Sequence, residues 1–156
     1  MKILFKTSLI VFIFSFSALS CDKDKDDKDD IELEAEVEFS LSVLGDDESS
    51  VVDEARKFKF FGNSETGLWN VEVTGTYNFR GLTVSEYSSI TSKAMLKDFF
   101  ENAPEENQPE KITRSVLNLQ PVYFISQVGN DYFLIKWVSL LQDGSGTGTA
   151  IFTSRK

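Results

Sequence analysis

The sequence contains very few of the side chains that usually carry catalytic chemistry. It has no histidine, and its single cysteine is Cys21. Without histidine, the chain lacks the commonest general base, the commonest metal ligand and the usual activator of a nucleophilic serine. A zinc site would have to be built from carboxylates alone, which zinc proteins rarely use. We therefore expect no enzymatic activity, no bound metal and no other cofactor.

Paired carboxylates are the remaining catalytic candidates, because two acids that face each other across a cleft can hydrolyse a glycosidic bond. The sequence offers three pairs that are adjacent or one helical turn apart, in segments that look exposed: Asp53 with Glu54, Asp98 with Glu101, and Glu105 with Glu106. Solvated surface acids are the simpler interpretation. A carboxylate-dependent hydrolase is kept as an alternative function.

Aromatic side chains are the second chemical resource, with 14 phenylalanines, four tyrosines and two tryptophans. Flat aromatic faces stack on sugars and on apolar ligands, but the core of a β domain needs the same residues. We name as ligand-binding candidates Trp69, Tyr123 and Trp137, with Tyr77 and Tyr132 as further members of a possible groove.

Residues 1–20 have the layout of a secretion signal. Lys2 and Lys6 precede an apolar run from Leu9 to Leu19, and small residues stand just before the cysteine. A membrane-spanning helix needs about 20 apolar residues, and this run is shorter and interrupted by Ser15 and Ser17. Cleavage of a signal peptide is therefore the preferred interpretation.

The segment Ala18-Leu19-Ser20-Cys21 resembles a lipobox, the motif that bacterial lipoprotein maturation enzymes recognise. In that motif small residues admit the peptidase and the cysteine thiol accepts diacylglycerol. A typical lipobox places leucine three residues before the cysteine, whereas here Leu19 lies two before it. The resemblance implies lipidation of Cys21, a membrane anchor of two or three acyl chains. The alternative is an ordinary signal followed by an incidental free cysteine.

Residues 21–30 contain Cys21 and then DKDKDDKDD, which has six aspartates, three lysines and no apolar side chain. Such a segment cannot bury surface, and we expect a disordered, solvated tether. It resembles the Lys/Asp-rich export tags of Bacteroidota lipoproteins, which implies the outer membrane and exposure at the cell surface. Asp22 instead resembles the inner-membrane retention signal of enteric bacteria, so both membranes remain open.

The charge of the chain bears on its partners. The formal net charge is −9, and removal of residues 1–20 takes away Lys2, Lys6 and no acid, which leaves −11. An acidic surface repels phosphate backbones, so we expect no nucleic-acid partner. The partners that remain are a membrane through lipid on Cys21, an envelope protein, or a small apolar or sugar ligand.

Residues 31–156 are predicted to form one mainly β domain. Residues 31–43, IELEAEVEFSLSV, alternate apolar and polar side chains, which predicts a long strand with one buried and one acidic face. The acidic face, with Glu32, Glu34, Glu36 and Glu38, is either solvated or attractive to cations. Further strands are predicted at residues 57–61, 69–79 (with a bulge at Gly75), 82–87, 122–128, 132–141 and 149–154.

One short helix is predicted at about residues 91–102, because Met95, Leu96, Phe99 and Phe100 share a face and Pro104 ends the run. Gly129-Asn130-Asp131 predicts a tight hairpin between two strands. Residues 103–110 read as a polar loop, and the glycine-rich DGSGTG lacks the lysine of a phosphate-binding loop. The fold class is an antiparallel sandwich or incomplete barrel with one helix.

The C-terminal block from Pro121 to Leu140, PVYFISQVGNDYFLIKWVSL, with the glycine-rich loop and closing strand, is similar to the end of HmuY-type haem-binding lipoproteins. The resemblance covers about 35 residues and implies a mostly β fold and haem capture. Haem iron in that family is held by histidine or methionine, whereas this sequence has no histidine and only Met95 after the signal. No ligand position carries over.

The sequence therefore predicts a lipid-anchored envelope lipoprotein whose domain is a non-catalytic binding or structural module. A surface carrier for haem or carbohydrate is the first alternative, with Trp69 or Trp137 as the platform. The carboxylate-dependent hydrolase is the second.

Overall fold

The computed structural model describes residues 31–46, 48–74, 78–104 and 108–156. The predicted signal, Cys21, the acidic tether, the bulge at Gly75, Tyr77 and the Glu105–Glu106 pair lie outside the described residues. The elements are β1 (Val37–Leu44), β2 (Ser50–Asp53), β3 (Phe58–Asn63), β4 (Leu68–Val73), β5 (Asn78–Leu82), α1 (Val84–Ser89), α2 (Lys93–Glu101), β6 (Lys111–Ser115), β7 (Val122–Val128), β8 (Asp131–Gln142) and β9 (Thr147–Arg155).

The strands form two antiparallel sheets that face each other. One sheet has the order β1-β9-β8-β7-β5, and the other has the order β2-β3-β4-β6. Every pairing is antiparallel, and the described strands do not close into a barrel. The predicted mainly β fold, a sandwich or incomplete barrel, is confirmed.

Aromatic side chains fill the space between the sheets. Phe58 and Phe60 from β3 contact Phe152 from β9, with ring centroids 5.4 and 6.3 Å apart. All three are fully buried. Edge-to-face and offset aromatic pairs add about 0.5–1.5 kcal/mol each beyond the area that they bury. The stability of the sandwich therefore depends strongly on these rings.

Helix α2 covers the outer face of the five-stranded sheet. Its Leu96 and Phe100 pack on Ile125 and Leu134, which point away from the aromatic core. Ser92 caps the helix by accepting the Met95 N–H at 3.3 Å. The helix predicted at residues 91–102 is confirmed.

Helix α1 occupies residues for which a strand, 82–87, is predicted from the sequence, and that prediction is wrong. Thr83 caps α1, because its hydroxyl accepts the Glu86 N–H at 3.3 Å and the Glu86 carboxylate accepts the Thr83 N–H at 2.6 Å. This reciprocal capping box satisfies two backbone donors that a strand would have paired differently.

The long N-terminal strand predicted for residues 31–43 is wrong in its first half. Strand β1 begins only at Val37, and residues 31–34 are held beside the start of α2 instead. The Lys93 N–H donates to the Ile31 carbonyl at 2.8 Å, and the Glu34 N–H donates to the Lys156 carbonyl at 2.8 Å. These backbone bonds replace a continuation of the β1–β9 ladder.

The other predicted strands agree with the structure to different degrees. The hairpin of β7 and β8 turns at Gly129, whose φ of 61° suits the first central position of a tight turn. The run predicted at residues 69–79 is divided between β4 and β5. Strands β2 and β6 were not predicted, because both are short and β6 reads as polar.

The two ends of the sandwich are called here the basal pole and the distal pole. The basal pole contains residues 31–34, where the described chain begins, and the turns that lie beside them: 54–57, 91–97, 129–132 and 155–156. The distal pole contains the turns at the other ends of the same strands: 44–50 without residue 47, 63–68, 83–86, 116–121 and 141–147. Strand β8 connects the poles with 12 residues, so they lie about 36 Å apart.

Candidate functional site

Trp69 lies fully buried between the two sheets. Its ring stacks on Phe60 with centroids 5.6 Å apart and fills the space above three glycines. A Cβ at Gly62 or Gly148 would overlap the indole ring, and one at Gly45 would lie 2.8 Å from it. Neither face of this indole is open to a ligand in the described structure.

Trp137 is also fully buried. Its Nε1–H donates to the Ser139 carbonyl at 3.1 Å, and its ring stacks on Phe152 at 5.5 Å. The residue stands next to a β-bulge, because the ladder with β9 passes from Trp137 to Ser139 and leaves Val138 unpaired. Trp69 and Trp137 are thus brought together only as parts of one core, through their shared contact with Phe60.

The tyrosine candidates lie on the opposite face of the five-stranded sheet. Tyr123 is half-buried, and its ring centroid is 4.6 Å from that of Tyr87. The Tyr132 hydroxyl donates to Glu101 at 2.9 Å. Burial is the main cause that raises the pKa of Tyr132, and this hydrogen bond is the second cause. The described aromatic candidates are therefore divided between the core and the outer face, where Tyr123 borders one surface groove and Tyr132 another.

The described members of the predicted acid pairs have local structural partners. Asp53 is buried, forms an ion pair with Arg56 at 2.8 Å and accepts the Ala55 and Arg56 N–H groups. Asp98 accepts the Asn102 side chain at 2.6 Å, and Glu101 accepts Tyr132. Through these contacts the carboxylates stabilise a turn and helix α2, which gives each of them a structural role.

Two of the four glutamates on the predicted acidic face also have intramolecular side-chain partners. Glu34 forms an ion pair with Lys93 at 3.3 Å. Glu36 accepts hydrogen bonds from Thr153 and from the Tyr87 hydroxyl. Among the described residues, no three acidic or cysteine side chains are close enough together to hold a metal ion. No helix in that part of the chain is long and apolar enough to span a membrane.

The most unusual surface feature is the loop of residues 116–121 at the distal pole, called here the leucine loop. Leu117 is 88% exposed and Leu119 is 83% exposed. The turn is ordered by backbone and side-chain bonds, since the Asn118 N–H donates to the Ser115 carbonyl at 3.0 Å and the Gln120 N–H donates to Asn118 Oδ1 at 3.0 Å. Two leucines are therefore presented to solvent on a defined turn.

Arg114 supports the leucine loop from below. Its guanidinium is buried and donates to the carbonyls of Asn118 at 3.0 Å, Trp137 at 2.9 Å and Val138 at 3.4 Å. Burial lowers the pKa of Arg114. The bulge at Val138 interrupts the ladder to β9 at the residues whose carbonyls Arg114 binds, so the arginine joins an irregularity in β8 to the turn that carries the leucines.

An open groove adjoins the leucine loop. Its adjoining parts have volumes of about 380, 370 and 250 Å³, and all of them are lined by Leu82. Val84 and Pro121 line the part nearest the loop, Tyr123 lines the middle, and Phe99 of α2 lines the far end. The distal pole therefore combines protruding leucines with an apolar depression beside them.

The charges of the two poles differ. The described residues of the distal pole include no lysine or arginine, and their charged side chains are all carboxylates: Asp46, Glu48, Glu65, Glu86 and Asp143. The basal pole contains six cations among its acids: Arg56, Lys57, Lys93, Lys97, Arg155 and Lys156.

Hydrogen bonds keep several distal carboxylates ionised. Donors from Ser49 lower the pKa of Asp46, donors from Thr83 lower the pKa of Glu86, and donors from Ser145 and Thr147 lower the pKa of Asp143. The distal pole is consequently negative at neutral pH as well as apolar.

Comparison with known proteins gives no relative: no protein-family model matches this chain, and neither a curated protein nor a solved structure matches it at a significant level. The leucine loop and Arg114 were both missed at the level of sequence. The apolar residues of VLNLQP in a turn-like segment were a usable signal, whereas nothing local in the sequence marks Arg114 as buried.

Proposed function

We propose that this chain is a lipid-anchored envelope lipoprotein whose domain is a non-catalytic binding module. The observation that carries the proposal is the separation of the two poles. The described chain begins at the basal pole, ten residues after Cys21, while the exposed leucines lie at the opposite end. An anchor at Cys21 would hold the domain by one end and leave the other end available for contact.

The composition of the chain supports the non-catalytic part of the proposal. No histidine is present, and the described members of the predicted acid pairs are engaged in an ion pair, a cap or a hydrogen bond to tyrosine. The tether that follows Cys21 resembles surface-export tags, and this supports a position on the outer membrane facing the medium.

The anchor is tested by replacing the cysteine. The variant Cys21→Ala should incorporate no radiolabelled palmitate and should leave the membrane fraction, because no thiol is left to accept diacylglycerol. Ser17→Ala, a matched change inside the predicted signal, should keep both the label and the membrane location. Labelling of Cys21→Ala would contradict the anchor, and protease treatment of intact cells then tests exposure at the surface.

A carrier for haem or carbohydrate remains the alternative function predicted from the sequence. A stacking platform needs an accessible aromatic face, and both tryptophans are fully buried, so the geometry favours the binding module. Titration with haemin distinguishes the two functions. A shifted Soret band that saturates at one equivalent would favour the carrier, whereas the binding module predicts no saturable shift.

A further inference from the structure

The exposed apolar side chains of the described residues are unevenly distributed. Nine large hydrophobic side chains are at least 38% exposed, and single exposed residues of this kind are ordinary on a protein surface. Six of the nine, however, lie at the distal pole: Leu44, Leu68, Val84, Leu117, Leu119 and Leu141. Concentration of apolar surface in one region is typical of interaction sites.

The leucine loop has the properties of a preformed contact. Arg114 holds its backbone through the Asn118 carbonyl, and the Val116 N–H fixes its start on the Gly67 carbonyl at 3.0 Å. A side chain that is already positioned loses less conformational entropy when it binds. Leu117 and Leu119 could thus act as anchors in a partner's pocket, with the groove along Leu82 as the complementary depression.

The charges around this surface restrict what can occupy it. Five carboxylates and no cation lie in the described residues of the distal pole. A second copy placed pole to pole would bring these carboxylates against each other, and like charges across an interface cost free energy. Nucleic acid is disfavoured for the same reason. A protein surface that is apolar in the middle and rimmed by lysine or arginine would complement both the exposed leucines and the surrounding carboxylates.

The anchoring membrane is a poor occupant for geometric reasons. With the strands upright and the distal pole on the membrane, Ile31 would stand about 36 Å above it, which is the length of β8. The ten residues from Cys21 to Ile31 span at most about 36 Å when fully extended. Contact would therefore require a tether at its limit.

We infer that the distal pole binds a second envelope protein through the leucine loop and its groove, and that the partner presents an apolar site flanked by lysine or arginine. This inference rests on the proposed function as a binding module and names the class of partner. The partner's chemistry is inferred from the described surface, and only the exclusion of the anchoring membrane depends on the anchor at Cys21.

The test is photocrosslinking of the full chain in the cells that produce it. A photoreactive residue replaces Gln120, which is exposed beside the leucines, and a control chain carries it at Val37, which is 55% exposed on β1. We expect one protein adduct from position 120, absent from position 37. Mass spectrometry of the adduct should place the crosslinked position of the partner in an apolar site with basic neighbours. High salt should reduce the yield of the adduct.

A paired set of variants shows whether the leucines make the contact. Leu117→Ser with Leu119→Ser should reduce the position-120 adduct at least tenfold, while Val37→Ser with Val52→Ser, two exposed apolar side chains away from the distal pole, should leave it unchanged. Equal thermal midpoints by circular dichroism establish that both variants are folded. An unaffected adduct would overturn the inference, as would an adduct with lipid or with a second copy.

The failure of this inference and the failure of the proposed function give different results. Palmitate labelling that persists in Cys21→Ala would contradict only the anchor, and enzymatic activity of the purified protein would contradict only the non-catalytic assignment. An absent or leucine-independent adduct in a chain that is labelled normally would contradict the docking surface alone.

Discussion

The basal and distal poles terminate the same strands but are stabilised by different interactions. At the basal pole, exposed ion pairs join the turns: Lys156 pairs with Asp131 at 2.8 Å, and Lys93 pairs with Glu34 at 3.3 Å. Exposed pairs of this kind stabilise a fold only weakly, and salt weakens them further. Substitution of these exposed charged side chains should therefore be tolerated well.

The distal pole is stabilised by close packing beneath an exposed surface. Trp69 fits against Gly62 and Gly148, and the buried Arg114 satisfies carbonyls at the bulge and in the leucine loop. The packing around Trp69 leaves no space for a larger side chain at the glycines, and the carbonyls would lose a donor if Arg114 were replaced. Single changes here should therefore be costly. The comparison suggests that surface leucines are held in place by the least adaptable part of the fold.

The largest expected effect is that of Gly148→Ala. A Cβ at this position would overlap the Trp69 ring, and relief requires the two sheets to separate locally. We expect the free energy of unfolding to fall by about 3 kcal/mol or more, as for severe overpacking of a core. Urea denaturation followed by tryptophan fluorescence measures the change, since both indoles are buried.

Gly81→Ala is the matched control for that prediction. Apart from its chain neighbours, no atom lies within 4 Å of a Cβ built at Gly81, so we expect a change below about 0.5 kcal/mol. If Gly148→Ala were as stable as Gly81→Ala, the close packing assigned to the distal pole would be wrong.

The next largest effect is expected for Arg114→Met, which keeps the apolar stem and removes the guanidinium. Three carbonyls would lose their donor, two of them at the bulge. Buried acceptors without partners cost about 1–3 kcal/mol, so we expect a loss of about 2 kcal/mol. Amide hydrogen exchange should also accelerate in residues 116–121.

Lys111→Met, at the exposed start of the same strand, is the control for this arginine. It should change neither the unfolding free energy by more than about 0.5 kcal/mol nor the exchange of the leucine loop. Normal protection of the loop in Arg114→Met would show that Arg114 does not hold it.

The smallest expected effects are opposite responses of the poles to pH. Hydrogen bonds lower the pKa of Asp143 at the distal pole, so its stabilisation is present above the unfolded pKa of about 4 and is lost as pH falls further. The bond to Asp131 raises the pKa of Lys156 at the basal pole. Its stabilisation is present below about pH 10.4 and is lost as pH rises through the higher folded value.

Two neutral variants measure these responses. Asp143→Asn should lower the melting temperature slightly at pH 6 and match the unmodified chain near pH 2. Lys156→Met should lower it slightly at pH 8 and match the unmodified chain above pH 11. Differences that stay constant with pH would contradict the ionic origin of both contributions.

Local patterns in the sequence predicted the elements whose signals are complete within a few residues. The β7–β8 hairpin follows from a glycine turn between two apolar runs, and α2 follows from its apolar face and its cap at Ser92. Residues 82–87, LTVSEY, look strand-like because the run begins with alternating apolar and polar side chains, whereas residues 84–89 form helix α1. The capping box formed by Thr83 and Glu86 was the available signal for the helix.

The candidate surface was less predictable because it is assembled from distant segments. Leu44, Val84, Leu119 and Leu141 come from four turns that meet only when both sheets are formed. The burial of Arg114 depends on a bulge in a strand more than 20 residues away. The hydrophobic periodicity of a single segment cannot predict a contact between two segments that are so far apart in the sequence.

The sequence by itself determined the absence of histidine, the single cysteine behind a lipobox-like segment, the acidic charge and the mainly β character of the chain. Composition and local hydrophobic periodicity are properties of short segments, and they persist in any conformation. Only the tertiary structure decided that the tryptophans are buried, that the described chain begins at one pole, and that the exposed leucines gather at the other. These properties depend on which strands pair and which faces meet, and that choice is made by packing across the whole sandwich.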